Sequence, residues 1–130
     1  MGFDELLAVS RKLVYPRENL SPQCSAGIVA CALLTDMGHI YTGINIDTDC
    51  GMGFCAEHSA ISQMLLHGES HIAKIVAVTE DMIIPPCGRC RELIYQINHE
   101  NIKAEVMVDD DVIKPLSELL PCLWWEKEQK

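Results

Sequence analysis

Basic residues are scarce in this 130-residue chain: ten Lys and Arg face nineteen Asp and Glu, a formal net charge of −9. Sequence-independent binding of a polyanion needs Lys and Arg clustered on one face. Here the ten are dispersed, so no nucleic-acid partner is expected, and a small neutral or cationic molecule fits the balance better. No apolar run is long enough to cross a bilayer, so no membrane partner is expected either. The opening Met1-Gly2-Phe3-Asp4-Glu5 lacks the basic start and apolar core of a secretory signal. Leu6 stands where a myristoylation motif wants Ser or Thr. The expected location is cytoplasmic. There are no repeats, no low-complexity tract and no linker, and the length suits one domain over residues 1–130. Aromatic residues make up only 5% of the chain, yet Trp124 and Trp125 stand side by side near its end. Cysteine is not scarce. Seven of them in a chain read as cytoplasmic point to metal binding before disulfides.

The apolar pattern predicts interleaved helices and strands. Phe3, Leu6, Leu7, Leu13 and Val14 mark one face of a first helix, and residues 16–22, bounded by Pro16 and Pro22, read as a polar loop. A strand over 27–34 and an alternating strand over 39–46 form a hairpin about Asp36-Met37-Gly38. Asn45 and Asp47 then share a strand face just before the chain turns towards Cys55. Gly51 and Gly53 in the intervening loop permit close backbone approach. Helices are expected from Cys55 to about His67 and from Cys87 to about His99. Further strands are expected over 72–79, 104–108 and 112–113, and a short helix over 115–120. The early hairpin excludes a purely parallel sheet, leaving a mixed sheet covered by helices.

Cys55-Ala56-Glu57 and Pro86-Cys87-Gly88-Arg89-Cys90 carry the chemistry. Cys87 and Cys90 have the spacing with which one helical turn offers two thiolates to one ion, and Cys55 supplies a third. Zinc takes four tetrahedral ligands, so three protein thiolates leave one position for water, the pattern of a catalytic site. Both ligand blocks open helices, where backbone N–H groups favour thiolate. Glu57, two residues from Cys55, can face that water without binding the metal and so carry protons. Two plainer readings stand beside this one. A structural zinc clip would be closed by Cys50 or His58. A redox pair would use Cys87 and Cys90 alone. Cys24, Cys31, Cys50 and Cys122 read as packing residues.

The combined pattern resembles the zinc-dependent cytidine deaminase family. The resemblance runs from about Gly27 to Leu120 and includes Cys90-Arg91-Glu92-Leu93. It implies a three-layer α/β/α fold with a mixed five-stranded sheet and a homotetramer whose neighbouring subunits complete each site. It also implies hydrolytic deamination of cytidine, deoxycytidine or a close aminopyrimidine nucleoside, as in pyrimidine salvage. Cys55, Cys87 and Cys90 would hold zinc while Glu57 moves protons. Ala56 would contact the substrate, and Asn45 with Asp47 would correspond to the family's ribose-binding Asn-x-Glu pair.

Three positions depart from the family pattern. His58 follows the glutamate where cytidine deaminases usually carry arginine. Three thiolates on one zinc leave a charge of about −1 that a nearby cation can offset, and Arg89 or a protonated His58 is expected to do so. Asp47 is one methylene shorter than the family's glutamate. Ala26, Gly27 and Ile28 occupy the region of a base-contacting phenylalanine, so Trp124 or Trp125 is expected to replace that aromatic wall. Pro-Cys-Gly-Arg-Cys and the Trp-bearing tail are similar to the blasticidin S deaminases, which gives a cytosine-containing nucleoside antibiotic as the alternative substrate.

Overall fold

A computed structural model of the chain describes residues 2–128. Phe3–Leu13 forms helix α1, with Asp4 and Glu5 in its first turn and Arg11 and Lys12 in its last. That charge order suits the helix dipole. Strands β1 (Arg17–Ser21), β2 (Cys24–Thr35) and β3 (Ile40–Thr48) follow. A 3-10 turn, Asp49–Gly51, leads towards α2 (Ala56–Leu66). Then come β4 (Ile72–Val78), β5 (Ile83–Ile84) and α3 (Gly88–Ile97). Beyond the 3-10 turn His99–Lys103 lie β6 (Glu105–Asp109), β7 (Val112–Pro115), α4 (Leu116–Leu119) and α5 (Trp124–Glu128).

Five strands give the sheet its width, in the order β3-β2-β4-β6-β7. They are the five expected from the sequence. The count of five is nonetheless corrected to seven, because β1 and β5 lengthen the sheet. β1 pairs with the start of β2, Arg17 opposite Ala26 and Ser21 opposite Cys24, beyond the stretch of β2 that β4 covers. β5 pairs with Ala77 and Val78 at the end of β4. The expected polar loop over 16–22 is therefore largely strand. Main-chain pairing to an open edge needs no apolar face, and Leu20 in β1 stays exposed. Among the described residues only β4 and β6 run parallel, so the sheet is mixed as expected.

Strand alternation divides the core. Cys31, Leu33, Ile75, Ala77 and Val106 pack with α2 and α3, while Ala32, Leu34, Val76, Val78 and Met107 pack with Phe3 and Leu6 of α1. The result is the expected three-layer α/β/α arrangement. Each fully buried Leu or Ile contributes about 1.5–3 kcal/mol. Gly43 of β3 lies so close to α2 that a Cβ there would strike the Ala60 backbone and the Ser59 side chain. This contact brings the start of α2 down onto the sheet. Asn101 is a second fixed point. Its Oδ1 accepts from Ile72 N at 2.7 Å, and its Nδ2 donates to Ser70 O at 3.0 Å and Ile94 O at 2.9 Å. That buried amide ties β4 to the end of α3, the helix that opens at Cys87.

Candidate active site

Cys55 and Cys87 are the N-cap residues of α2 and α3, both in extended conformation, with Cys90 inside the first turn of α3. Both helices therefore start one residue later than the sequence pattern suggested. The Cys55 and Cys87 sulfurs lie 3.5 Å apart, and so do those of Cys87 and Cys90. The ligand atoms of Cys55, His58 and Cys90 all fall within 4.8 Å of one another. Two sulfurs bound tetrahedrally to zinc at about 2.3 Å stand about 3.8 Å apart, so the three thiols fit that ion. The approach to Cys55 is rigid. Phe54 N donates to Ile46 O at 2.9 Å and Ile46 N donates to Phe54 O at 3.0 Å. A Cβ on Gly53 would meet the Ile46 carbonyl, so glycine is required for that bridge. On the other side, Arg91 Nε donates to Pro86 O at 2.8 Å and its Nη1 to Leu119 O at 3.2 Å, which holds the turn before Cys87. Arg91 belonged only to a matching segment in the sequence, since a side chain acting on distant carbonyls leaves no spacing signal.

The thiols do not titrate alike. Burial would push Cys87 up, but hydrogen bonding from the backbone at Cys90 and Arg89 and from the neighbouring thiols brings it below the ordinary value. The helix start thus favours thiolate at Cys87. Burial, then the Cys87 thiol, raises Cys55. Burial and the charge of Glu57 push Cys90 far up. Burial raises Glu57 too, with only 4% of the residue exposed. His58 Nδ1 lies 3.4 Å from Cys90 Sγ. Burial and the Arg89 charge lower its pKa, which favours the neutral ring. Arg89 is exposed and remains the cation beside the cluster.

A cavity of about 330 Å³ opens directly on this cluster, lined by Asn45, Asp47, Phe54, Cys55, Glu57 and Cys87, with Ala56 in the wall. A larger cleft of about 550 Å³ lies beside it, where His58 and Arg89 meet Phe54, but it contains neither Glu57 nor a thiol. The smaller cavity is the one equipped for chemistry. Asn45 is 7% exposed; its Oδ1 accepts from Val29 N at 2.8 Å and its Nδ2 donates to Asp47 Oδ2 at 3.2 Å. The amide is held at both ends and orients the carboxylate. Trp124 and Trp125 are not brought here. They lie against Tyr95 and His99 at the far end of α3, a ten-residue helix about 15 Å long. The aromatic wall is Phe54, which the sequence reading had left in a loop. Its place before Cys55 was the available signal. Cys50 lies in the 3-10 turn, outside the ligand cluster, and Cys31 is buried in the core.

Fold and site together define an α/β/α domain that presents a cluster of thiols from two helix N-termini to a carboxylate-bearing cavity. Residues 6–106 match the family described as "Cytidine and deoxycytidylate deaminase zinc-binding region". The chain belongs to this family, and zinc is its cofactor. A cytidine deaminase of Sporosarcina psychrophila is 34% identical over 98 residues, covering 74% of this chain and 70% of that protein. A Dictyostelium discoideum relative is 36% identical over 67 residues, which span 49% of this chain and 46% of its own length. The crystal structure of cytidine deaminase from Mycobacterium leprae superposes with a TM-score of 0.78 at 25% identity, covering 94% of this chain and 99% of that one.

Proposed function

We propose that this protein is a zinc-dependent hydrolase that deaminates cytidine or deoxycytidine and releases ammonia. The observation that carries the reading is the single cavity containing a buried carboxylate, two of the three clustered thiols and the hydrogen-bonded Asn45–Asp47 pair. Cys55, Cys87 and Cys90 hold the ion. When bound, zinc supplies the Lewis acidity that makes water nucleophilic near neutral pH. Glu57 accepts the proton of the attacking water, delivers it to the ring nitrogen beside the reacting carbon, and then assists departure of the amine. A raised pKa suits a carboxyl that must both take and return a proton. Asn45 and Asp47 bind the sugar, Phe54 and Ala56 border the base, and the His58 ring shares a hydrogen bond with Cys90. Arg89 offsets the excess negative charge of the thiolates.

The protein works as a cytoplasmic homotetramer in pyrimidine salvage. Free thiols at all seven cysteines suit a reducing compartment. Exposed Met52 and Leu66, around the larger cleft beside the site, suit a subunit contact. Sedimentation of the zinc-loaded protein tests the tetramer, and a monomer would refute it. Ammonia release from cytidine, deoxycytidine, cytosine and blasticidin S tests the activity, with Glu57→Gln as control. Turnover of the two nucleosides, lost in the zinc-retaining variant, supports the reading. Turnover of blasticidin S alone would transfer it to the antibiotic, and no turnover from folded, zinc-loaded protein would refute deamination of this panel.

A further inference from the structure

Asn45 is paired unlike its neighbours in β3. Ala26 stands opposite Ile46 and Ala30 opposite Ile44, so three residues of β2, Gly27, Ile28 and Val29, face the single residue between Ile44 and Ile46. The ladder is bulged at this point, and a bulge re-aims the groups within it. Val29 lies inside the bulge, and its N–H donates to Asn45 Oδ1 at 2.8 Å. Asn45 Nδ2 passes the constraint on to Asp47 Oδ2 at 3.2 Å. Ile28, in the middle of the bulge, lines the cavity beside Asp47.

The segment that joins α1 to β1 holds the bulge. Gly27 has a φ of 82°, a left-handed backbone that costs any residue bearing a Cβ. Its carbonyl accepts from Tyr15 N at 3.1 Å. Tyr15 O accepts in turn from Arg17 Nη1 at 2.7 Å, and the Arg17 guanidinium lies 5.2 Å from the Tyr15 ring centroid. A Cβ on Gly27 would strike both Tyr15 O and Arg17 Nη1. The Arg17 side chain can swing aside, but the Tyr15 carbonyl moves only with the main chain. The region that carries a base-contacting phenylalanine in the family pattern therefore has no room for a side chain at position 27.

We propose that Gly27 and Arg17 are positioning residues for the deamination. Together with the Tyr15 main chain they fix the β2 bulge, whose Val29 N–H aims Asn45 and, through it, Asp47. The proposal rests on the reading of Asn45 and Asp47 as the sugar-binding pair. A pair held in place before the substrate arrives loses little freedom on binding. Loosening it weakens binding of substrate and transition state alike and leaves the proton transfers at Glu57 as they are. The signature is a raised KM at constant kcat.

Arg17→Ala removes one hydrogen bond from this chain of contacts, and Gly27→Ala forces a Cβ against the main chain. In zinc-loaded protein labelled with nitrogen-15 and free of substrate, the Val29 N–H and the Asn45 side-chain amide report on the bulge directly. Arg17→Ala is expected to shift both signals, to speed Val29 hydrogen exchange about fivefold and to raise KM for cytidine about fivefold. Gly27→Ala is expected to do the same by about tenfold or more, with kcat within about twofold in both variants. Arg17→Lys keeps a donor for Tyr15 O and is expected to return KM to within about twofold of the parent. Asp47→Ala tests the sugar reading itself. If it leaves KM unchanged, that reading fails and takes the proposal with it. If it raises KM while folded, zinc-loaded Arg17→Ala and Gly27→Ala leave KM and the amide signals unchanged, the sugar reading stands and the positioning proposal is overturned. A fall in kcat or zinc content at constant KM in these two variants would also overturn it. Should Gly27→Ala not fold, Arg17→Ala and its lysine rescue decide the matter.

Discussion

The two ends of α3 use the same helix for opposite purposes. At its N-terminus the backbone N–H groups are unpaired within the helix, and Cys87 uses that polarity. At its C-terminus the helix presents ring faces, Tyr95 against His99 and Trp125, and is tied to the sheet by Asn101. The first end is a short sequence signature of closely spaced polar groups. The second is assembled from α3, the following 3-10 turn and α5, segments whose chemistry is unremarkable until the fold joins them. A helix start is thus a place where local sequence can write a site, and a helix end here depends on what packs against it.

Substitutions that act at one end and spare the other test this division. Glu57→Gln has the largest expected effect: turnover falls about 10²–10⁴-fold while zinc content is kept, measured by ammonia release beside metal analysis. Cys87→Ala should weaken zinc by more than about 100-fold, beyond the loss typical of an outer partner. Dialysis against a chelator followed by metal analysis reads this out. If Cys87→Ala keeps its zinc, the metal centre is held by Cys55, His58 and Cys90 instead. Asn101→Ala should cost about 3 kcal/mol, because it strands Ile72 N and two carbonyls. The shift appears in the urea midpoint, and the folded variant should still bind zinc.

The pH dependence of the metal-free protein is a smaller effect. Burial raises Glu57 above its unfolded value, so the folded state binds its proton more tightly. The associated stability is present below the ordinary carboxylate pKa and is lost as pH rises through the higher folded value. Metal-free Glu57→Gln should therefore be the more stable form at pH 8, with the gap closing towards pH 4 in denaturant titrations. A gap that widened towards acid would contradict the raised carboxyl. Trp125→Ala has the smallest expected consequence for catalysis, a change within about twofold in kcat/KM for cytidine, since α3 separates the ring from its own site. A tenfold loss would mean that the tail reaches a site in a neighbouring subunit.

Most of the candidate site was legible before the fold. Cys55, Glu57, Cys87 and Cys90 lie in two short blocks whose spacing carries their geometry, and alternation in β3 put Asn45 and Asp47 on one face. β1 was not legible, because edge pairing imposes no apolar period. Phe54 was not, because its role depends on a bridge to Ile46 made from backbone groups alone. The Trp pair was legible as unusual but not as to location, since nothing in residues 121–125 encodes the distance to another helix.

Amino-acid order alone determined the interleaving of helices and strands, the acidic balance and the set of residues able to hold zinc and move a proton. Periodicity, charge and ligand spacing are properties of neighbours along the chain. Tertiary packing decided which groups actually meet and in which direction their pKa values move. The close contact of Gly43 with α2 and the clasp of Arg91 on two carbonyls bring the helix starts together. Burial then raises Glu57 while the α3 backbone lowers Cys87. Desolvation and contact across a sheet arise only when distant segments exclude water together, so no local stretch of sequence carries them.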